Sequence, residues 1–567
     1  MPDLRSPIDL LLVDAERRAP VLPEVERMAA SRAPAPEPRP RPETLWGDEH
    51  APDDLARQRW GVIAPAGEAG DRLIDAIAPL IELRRRQQGA VQIYRVPAGM
   101  ARPAGMTFGE AARWKKRVFR TGAGTETEAD LPRYQLIVGD LDEVPVAVQQ
   151  TQASDGLVGR IAFDDLDGYR AYADKVVGWE QRPARVTAGD AILHAVRDGT
   201  AATRRGYDAL IAPAHAILDR RRAAGEVAYH ALRMTGSERP SPDELWAAPA
   251  DRPAVLLSLG HGVGVPRRSG GDPRARAVRQ RQDQGALSFG PGGTVTGRDL
   301  AGRGFLPGGV WLAVACFAAG TPDTSDYRHW LDTLARTGHG GSEIGHVLDT
   351  LAHDRPFIAA LPKAVLADPG GPLAFIGHID LAWAYSFFDL DDQPRRRPAR
   401  LVSVLQALLN RHRAGVAVRK LMNAFAEVNT ELTALQDAQA RSGDPAIGDA
   451  ERARRAHLWM LRQDLAGYVL LGDPAVRLPI AGPDDDDPAA RRAGERGGWG
   501  EVSEPRGDDL LHATEAAVLA ILGGAPLAEA ATRHGLDGDG LRRLVASYRA
   551  AGRAALEAAL QAHRRGP

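Results

Sequence analysis

Apolar runs that stop at Gly or Pro alternate along this chain with stretches whose Leu, Ile and Val recur at helical spacing. "RWGVIAPA" (59–66), "VQIYRVPA" (91–98) and "YQLIVGDLDEVP" (134–145) read as short buried strands. "EAGDRLIDAIAPLIELRRRQQG" (68–89) and "GYRAYADKVVGWEQ" (168–181) read as helices between and after them. The centre repeats the pattern. "RPAVLLSLGHG" (252–262), "GVWLAVACFAAG" (309–320) and the start of "GPLAFIGHIDLAWAYSF" (371–387) predict three further strands. "DYRHWLDTLAR", "GSEIGHVLDTLAH" and "RPFIAALPKAVLA" predict helices among them, and residues 400 to 466 read as long amphipathic helix. "GYVLLGDPAVRLP" (467–479) closes this block with one more strand. Strands alternating with helices predict an α/β layered fold with a mostly parallel sheet flanked by helices.

The pattern changes at both ends. "SRAPAPEPRPRPE" (31–43) is Pro-rich and charged, so residues 1–54 read as an N-terminal extension with a linker. Residues 55–240 and 241–480 read as two α/β subdomains, and the polar, charge-blocked 481–509 as a flexible linker. Residues 510–567 predict a small all-α unit, in which "LAEAATRHGLDGDGLRRLVASYRAAGRAAL" has helix-turn-helix spacing.

Composition narrows the function classes. With 567 residues there is enough chain for more than one domain, and 44 % apolar with 26 % charged residues is ordinary for a soluble protein. A net charge of −2 gives no reason to expect a polyanionic partner for the whole chain. The opening "MPDLRSPIDLLLVDAERR" has an apolar run too short and too acidic for a secretory signal, and no stretch is long enough to span a bilayer. A cytoplasmic protein without membrane contact is the expectation. Arg far outnumbers Lys and Ala is abundant, the bias of a GC-rich bacterial genome. No metal-ligand cluster, serine elbow or phosphate loop stands out, and the glycines of "GDGLRRL" and "GHGVGV" lack the strand-and-helix context of a dinucleotide site. No cofactor is expected.

Candidate chemistry sits at strand ends, where ligands bind in such sheets. Cys316, the single cysteine, ends the apolar run "WLAVAC", and His261 ends "LLSLGHG". An imidazole within reach can take the proton of a thiol and later protonate a leaving amine. The glycines beside His261 allow close approach of a peptide, and their N–H groups suit an oxyanion. The bland reading makes Cys316 a core thiol. His339, in a second "GHG", and His346 and His378 are rivals to His261, but only His261 ends a strong strand.

These residues resemble the gingipain-type cysteine peptidases of the caspase-like fold group. "LLSLGHG" is similar to the strand delivering the family's catalytic His, "WLAVACFAAG" to that delivering its nucleophile, and "GPLAFIGHIDLAW" to the strand whose Trp lines the specificity pocket. "YVLLGDPAVRL" resembles the closing segment, and "YQLIVGDLDEVP" and "DGLVGRIAFDDLDGYRAYADKVVGWE" resemble parts of the first subdomain, so the likeness spans about residues 55 to 480. It implies His261 as general base, Cys316 as nucleophile, the backbone at Gly262 and Cys316 as oxyanion site, and Trp383 beside the specificity pocket. Arginine-specific members bind the basic side chain with an acid before a "GR" motif. Asp155 in "SDGLVGR" is the matching acid and Asp380, near Trp383, its rival, so cleavage after Arg or Lys is expected.

The segment "PRRSGGDPRARAVRQRQDQ" between His261 and Cys316 reads as an enlarged basic loop, solvated or serving self-cleavage or activation. The C-terminal unit resembles a transposase-like helix-turn-helix. Arg542, Arg543 and Arg549 suit DNA, but Asp537, Asp539 and Glu557 oppose it, so an activating or recruiting protein partner at 510–567 is favoured over DNA. The resulting expectation is an intracellular cysteine endopeptidase acting on protein or peptide substrates, with a role in stress or defence suggested by analogy alone. The competing expectation is a silent peptidase-like scaffold that works through its helical tail.

Overall fold

The computed structural model describes residues 7–22, 25–26, 29, 51–97, 106–119, 131–247, 252–267, 272–338, 342–389, 395–442 and 448–482. The Pro-rich stretch 31–43, His339, the linker after 482 and the helix-turn-helix unit at 510–567 lie outside these residues.

A ten-stranded sheet runs through the described chain in the order Gln92–Val96, Trp60–Pro65, Tyr134–Val138, Leu157–Ile161, Tyr468–Gly472, Ala374–His378, Val310–Val314, Ala254–Leu259, Asp190–Ala195 and Leu232–Thr235. The eight inner strands are buried at every residue, as strands covered on both faces must be. That is why they read in the sequence as unbroken apolar runs. The two outer strands carry partly exposed residues. Strands from both sides of residue 240 therefore share one sheet.

Neighbouring strands are parallel throughout, except that Ala374–His378 and Tyr468–Gly472 pair antiparallel. The sheet thus consists of two parallel five-strand blocks of opposite direction, joined at that one seam. The layered α/β architecture with a mostly parallel sheet is the one the alternating pattern predicted. Helices flank the sheet in two groups. Glu68–Ala76, Ala78–Gln88 and Ala360–Ala367 gather on Leu166–Gln181, while Ala399–Leu409, Ala414–Ser442 and Asp449–Ala466 pack in series. The stretch 68–89, read as one helix, is two, because Pro79 cannot continue the first hydrogen-bond ladder.

Two expectations are corrected. The basic segment after His261 is not simply a loop: Pro273–Asp283 is a helix, with Asp272 capping its first turn through the Ala275 N–H and proline at N1. The extension at 1–54 is not all peripheral. Leu10, Leu11, Leu12 and Val13 are buried in the main core, and Leu12–Asp14 forms a strand of a second, four-stranded sheet. In that sheet His261–Gly264 pairs parallel with Leu12–Asp14 and antiparallel with Leu287–Ser288, which pairs with Thr294–Val295.

Candidate active site

Strand register brings His261 and Cys316 to one level. Leu259 pairs with Val314 across adjacent parallel strands, and each candidate lies two residues beyond its pair. Gly262 is required by close approach: a Cβ there would sit 1.8 Å from the Cys316 carbonyl oxygen. After Cys316 the chain bends sharply. Phe317 has φ of 56°, a left-handed conformation rare for a bulky residue, which costs about 1–3 kcal/mol. Its N–H donates to the Asp380 carbonyl at 3.0 Å, and the Ala319 N–H to the His378 carbonyl at 2.9 Å. The cysteine is thereby fixed at a strained strand end.

Both groups are fully buried. The Cys316 sulfur accepts the Ala382 N–H at 3.2 Å and faces the Ala382 carbonyl at 3.6 Å. Burial pushes the thiol well above its ordinary value, helped by the Asp380 and Asp464 charges and opposed by the Ala382 and Leu11 backbone contacts. Burial pushes the His261 imidazole down to about 4, with Asp198 pulling the other way. In this closed arrangement both groups are neutral near pH 7.

The hydrogen bonds around His261 assign its tautomer. Its Nε2 lies 2.9 Å from the Thr200 hydroxyl and 3.7 Å from Asp198 Oδ2. Thr200 and Thr203 both donate their hydroxyls to Asp198 Oδ1, at 2.8 and 2.7 Å. With the Thr200 proton so committed, its oxygen accepts from Nε2–H, which leaves Nδ1 as the basic nitrogen. Among the described residues Nδ1 has no partner. Asp198 and Thr200 were missed by the sequence reading. They follow Asp190–Ala195, a strand whose "DAILHA" is too short and too polar at its ends to stand out. The signal was its position, since four neighbouring strand ends supply Asp198, His261, Cys316 and Asp380.

Two backbone N–H groups converge beside the thiol. Gly262 N–H and Cys316 N–H donate to one oxygen, the carbonyl of Leu11, at 2.8 and 3.2 Å. Two N–H donors so placed are able to hold a carbonyl oxygen that gains negative charge.

The residues expected to set specificity are distributed differently. Trp383 is close by: it is fully buried, pairs through its backbone with Leu10, and packs edge-on with Trp330 and Tyr327 at centroid distances of 5.4 and 5.9 Å. Asp380 also lies at this edge, but its Oδ2 accepts from the Ser325 hydroxyl and the Asp326 N–H, at 2.8 and 2.9 Å, and its Oδ1 from the Leu381 N–H at 2.7 Å. Burial and the Asp326 charge push its carboxyl up to about 7. Asp155 is elsewhere. It precedes Leu157–Ile161, three strands from the cysteine strand or about 14 Å at ordinary strand spacing, and Lys115 takes its carboxylate. A turn that buries an acid beside a lysine explains the sequence signal without a pocket. Of the rival histidines, His346 lies on the helix Glu343–Asp349, and His378 has its ring nitrogens 2.9 and 3.1 Å from the Asp380 and Asp464 carbonyls. No group of three or more His, Cys, Asp or Glu placed to hold a metal occurs among the described residues.

No protein-family model matches the chain, and no curated protein matches it. Among solved structures it is similar to the crystal structure of the Arg-specific cysteine proteinase gingipain R (RGPB), with 14 % identity and a TM-score of 0.42 over 78 % of this chain and 80 % of that one. It is similar also to a complex of Porphyromonas gingivalis RgpB pro- and mature domains, with 14 % identity and a TM-score of 0.41 over 74 % and 79 %. A third neighbour, described as a structure of a protease, has 12 % identity and a TM-score of 0.39 over 74 % and 78 %. At these values the chemistry has to rest on the geometry of the site itself.

Proposed function

We propose that this chain is a cysteine endopeptidase, of the gingipain type its motifs resemble, with Cys316 as nucleophile and His261 as general base. One observation carries the reading: the Gly262 and Cys316 N–H groups meet on a single peptide carbonyl beside the only thiol of the chain. In the reaction, His261 Nδ1 takes the Cys316 proton and the sulfur bonds to the substrate carbonyl carbon. The charged oxygen rests between the two N–H groups. The C–N bond then breaks, and its nitrogen leaves with the proton from His261. Water, giving a proton to His261 Nδ1, attacks the thioester carbon; the C–S bond breaks, the acid leaves, and that proton returns to the Cys316 sulfur. Asp198, through Thr200, orients the imidazole and favours its protonated form.

The test is hydrolysis of fluorogenic peptides by wild type and Cys316→Ala, with the residue before the scissile bond varied. With the peptides at about a millimolar or above, cleavage by wild type that is lost in Cys316→Ala is expected, since an alanine leaves no nucleophile. Cleavage that survives in Cys316→Ala would remove the assignment.

A further inference from the structure

The carbonyl between the Gly262 and Cys316 N–H groups belongs to the chain itself. We propose that Asp9–Val13 lies in the substrate groove in the manner of a substrate. The groove then takes an extended peptide with leucine or a similar apolar residue just before the scissile bond and an acid two residues earlier. This rests on the peptidase reading above and names its substrate class.

The backbone contacts define the direction and the position of each residue. Leu11 puts its carbonyl in the oxyanion site, so Leu11 stands on the acyl side and Leu12 on the leaving side. On the acyl side, the Leu11 N–H donates to the Ala382 carbonyl at 3.3 Å and Leu10 pairs antiparallel with Trp383. On the leaving side, Leu12, Val13 and Asp14 pair in register with Gly262, Val263 and Gly264. A peptide held by strand pairing on both sides of one carbonyl is presented as an endopeptidase substrate is.

Side chains set the chemistry. Leu11 is 1 % exposed and belongs to the same apolar cluster as Cys316, Phe317 and Trp383. Asp9, also 1 % exposed, meets the Arg205 guanidinium, which itself lies over the Phe388 ring. A basic residue in the place of Leu11 would need a charge from Asp380, whose oxygens already accept three donors and whose ionisation burial opposes. The expected preference for Arg or Lys is thus replaced by one for an apolar residue.

The test uses the full chain and Asp9→Lys, which sets like charge against Arg205 and leaves Cys316, His261 and the oxyanion donors untouched. Two readings are taken: the rate of iodoacetamide addition to Cys316 by intact mass, and hydrolysis of acetyl-Ile-Asp-Leu-Leu-, acetyl-Ile-Asp-Leu-Arg- and acetyl-Ile-Lys-Leu-Leu-aminomethylcoumarin. Asp9→Lys should alkylate about tenfold or more faster than wild type, because a broken buried ion pair releases the segment. The released chain should cleave the Asp-Leu-Leu peptide about tenfold or more faster than either of the others. Equal alkylation of the two folded chains overturns the occupancy, and a preference for the arginine peptide overturns the substrate class while the peptidase reading stands. Faster alkylation with no hydrolysis of any peptide sinks the peptidase reading and this proposal with it. If Asp9→Lys does not fold, Asp9→Ala removes the same anchor, leaves Arg205 in the groove for the test peptides and takes its place.

Discussion

In the proposed peptidase, Asp198 would act on the Cys316 sulfur only through His261, which makes it a positioning residue and separates its effect from that of Cys316. Asp198→Asn keeps the size of the side chain and removes the charge that raises the imidazole's pKa. We expect kcat to fall about a hundredfold, the scale of a misplaced general base. The acid limb of the pH–rate profile should also move to lower pH, because an imidazole without its carboxylate gives up its proton more readily. A merely structural Asp198 would lower the amount of folded enzyme and leave the limb in place. At this scale the sequence was informative about the two strand ends that the register brings to one level and silent about the residues around them. Cys316 and His261 end strong apolar runs and were legible. Asp198 and Thr200 follow a strand that carries His194 and begins with Asp190, so no pattern drew attention to its end. Asp155 was misleading because a buried acid beside a glycine looks the same in sequence whether it meets a substrate or Lys115.

Elements are tied to each other by buried charge as well as by apolar packing. Arg84, on Ala78–Gln88, bonds Asp473 just after Tyr468–Gly472 and Glu180 near the end of Leu166–Gln181, and Asp473 also accepts the Trp60 indole N–H at 2.8 Å. Arg84→Met would leave Asp473 buried without its cation and should cost about 3–5 kcal/mol in urea unfolding. Glu180 gives the pH dependence. Burial pushes its carboxyl up, but Arg84 outweighs burial and holds it below its ordinary 4.5. The folded chain therefore releases this proton more readily than the unfolded chain, so the stabilisation is complete above 4.5 and is lost as pH falls through the lowered value. The gap in melting temperature between wild type and Glu180→Gln should be widest near neutral pH and narrow as the pH falls below 4.5. Most elements of the sheet were legible because strands covered on both faces leave unbroken apolar runs. Leu12–Asp14 was not. Four apolar residues between acids are too few to tell a buried strand from a surface turn, and only pairing with His261–Gly264 decides it.

For the whole molecule, chain order and sheet order disagree most at the seam. Tyr468–Gly472 comes last in the described sequence, yet it fills the gap between Leu157–Ile161 and Ala374–His378. No local pattern encodes such a placement, which is why the layers were legible in the sequence and the strand order was not. It also has a consequence for folding. Until the late strand arrives, the two blocks present open, apolar edges to each other and to other chains. A chain ending at residue 466 should therefore collect in the insoluble fraction, whereas one ending at 482 should remain soluble. Comparable soluble yields of the two would show that the blocks close without the seam.

In the proposed peptidase, the N-terminal segment does not end at the groove. Val13 pairs with Pro20, and the Ala29 carbonyl accepts the Trp330 indole N–H at 2.7 Å, next to Trp383. A peptide tethered this closely competes at an effective concentration of about a millimolar, however weak its intrinsic hold. A free substrate of equal fit would gain the groove only near that concentration. An activator, then, has no need to touch Cys316 or His261. Drawing the strap off Trp330 lengthens the tether, dilutes the resident peptide and hands the groove to whatever protein is nearby.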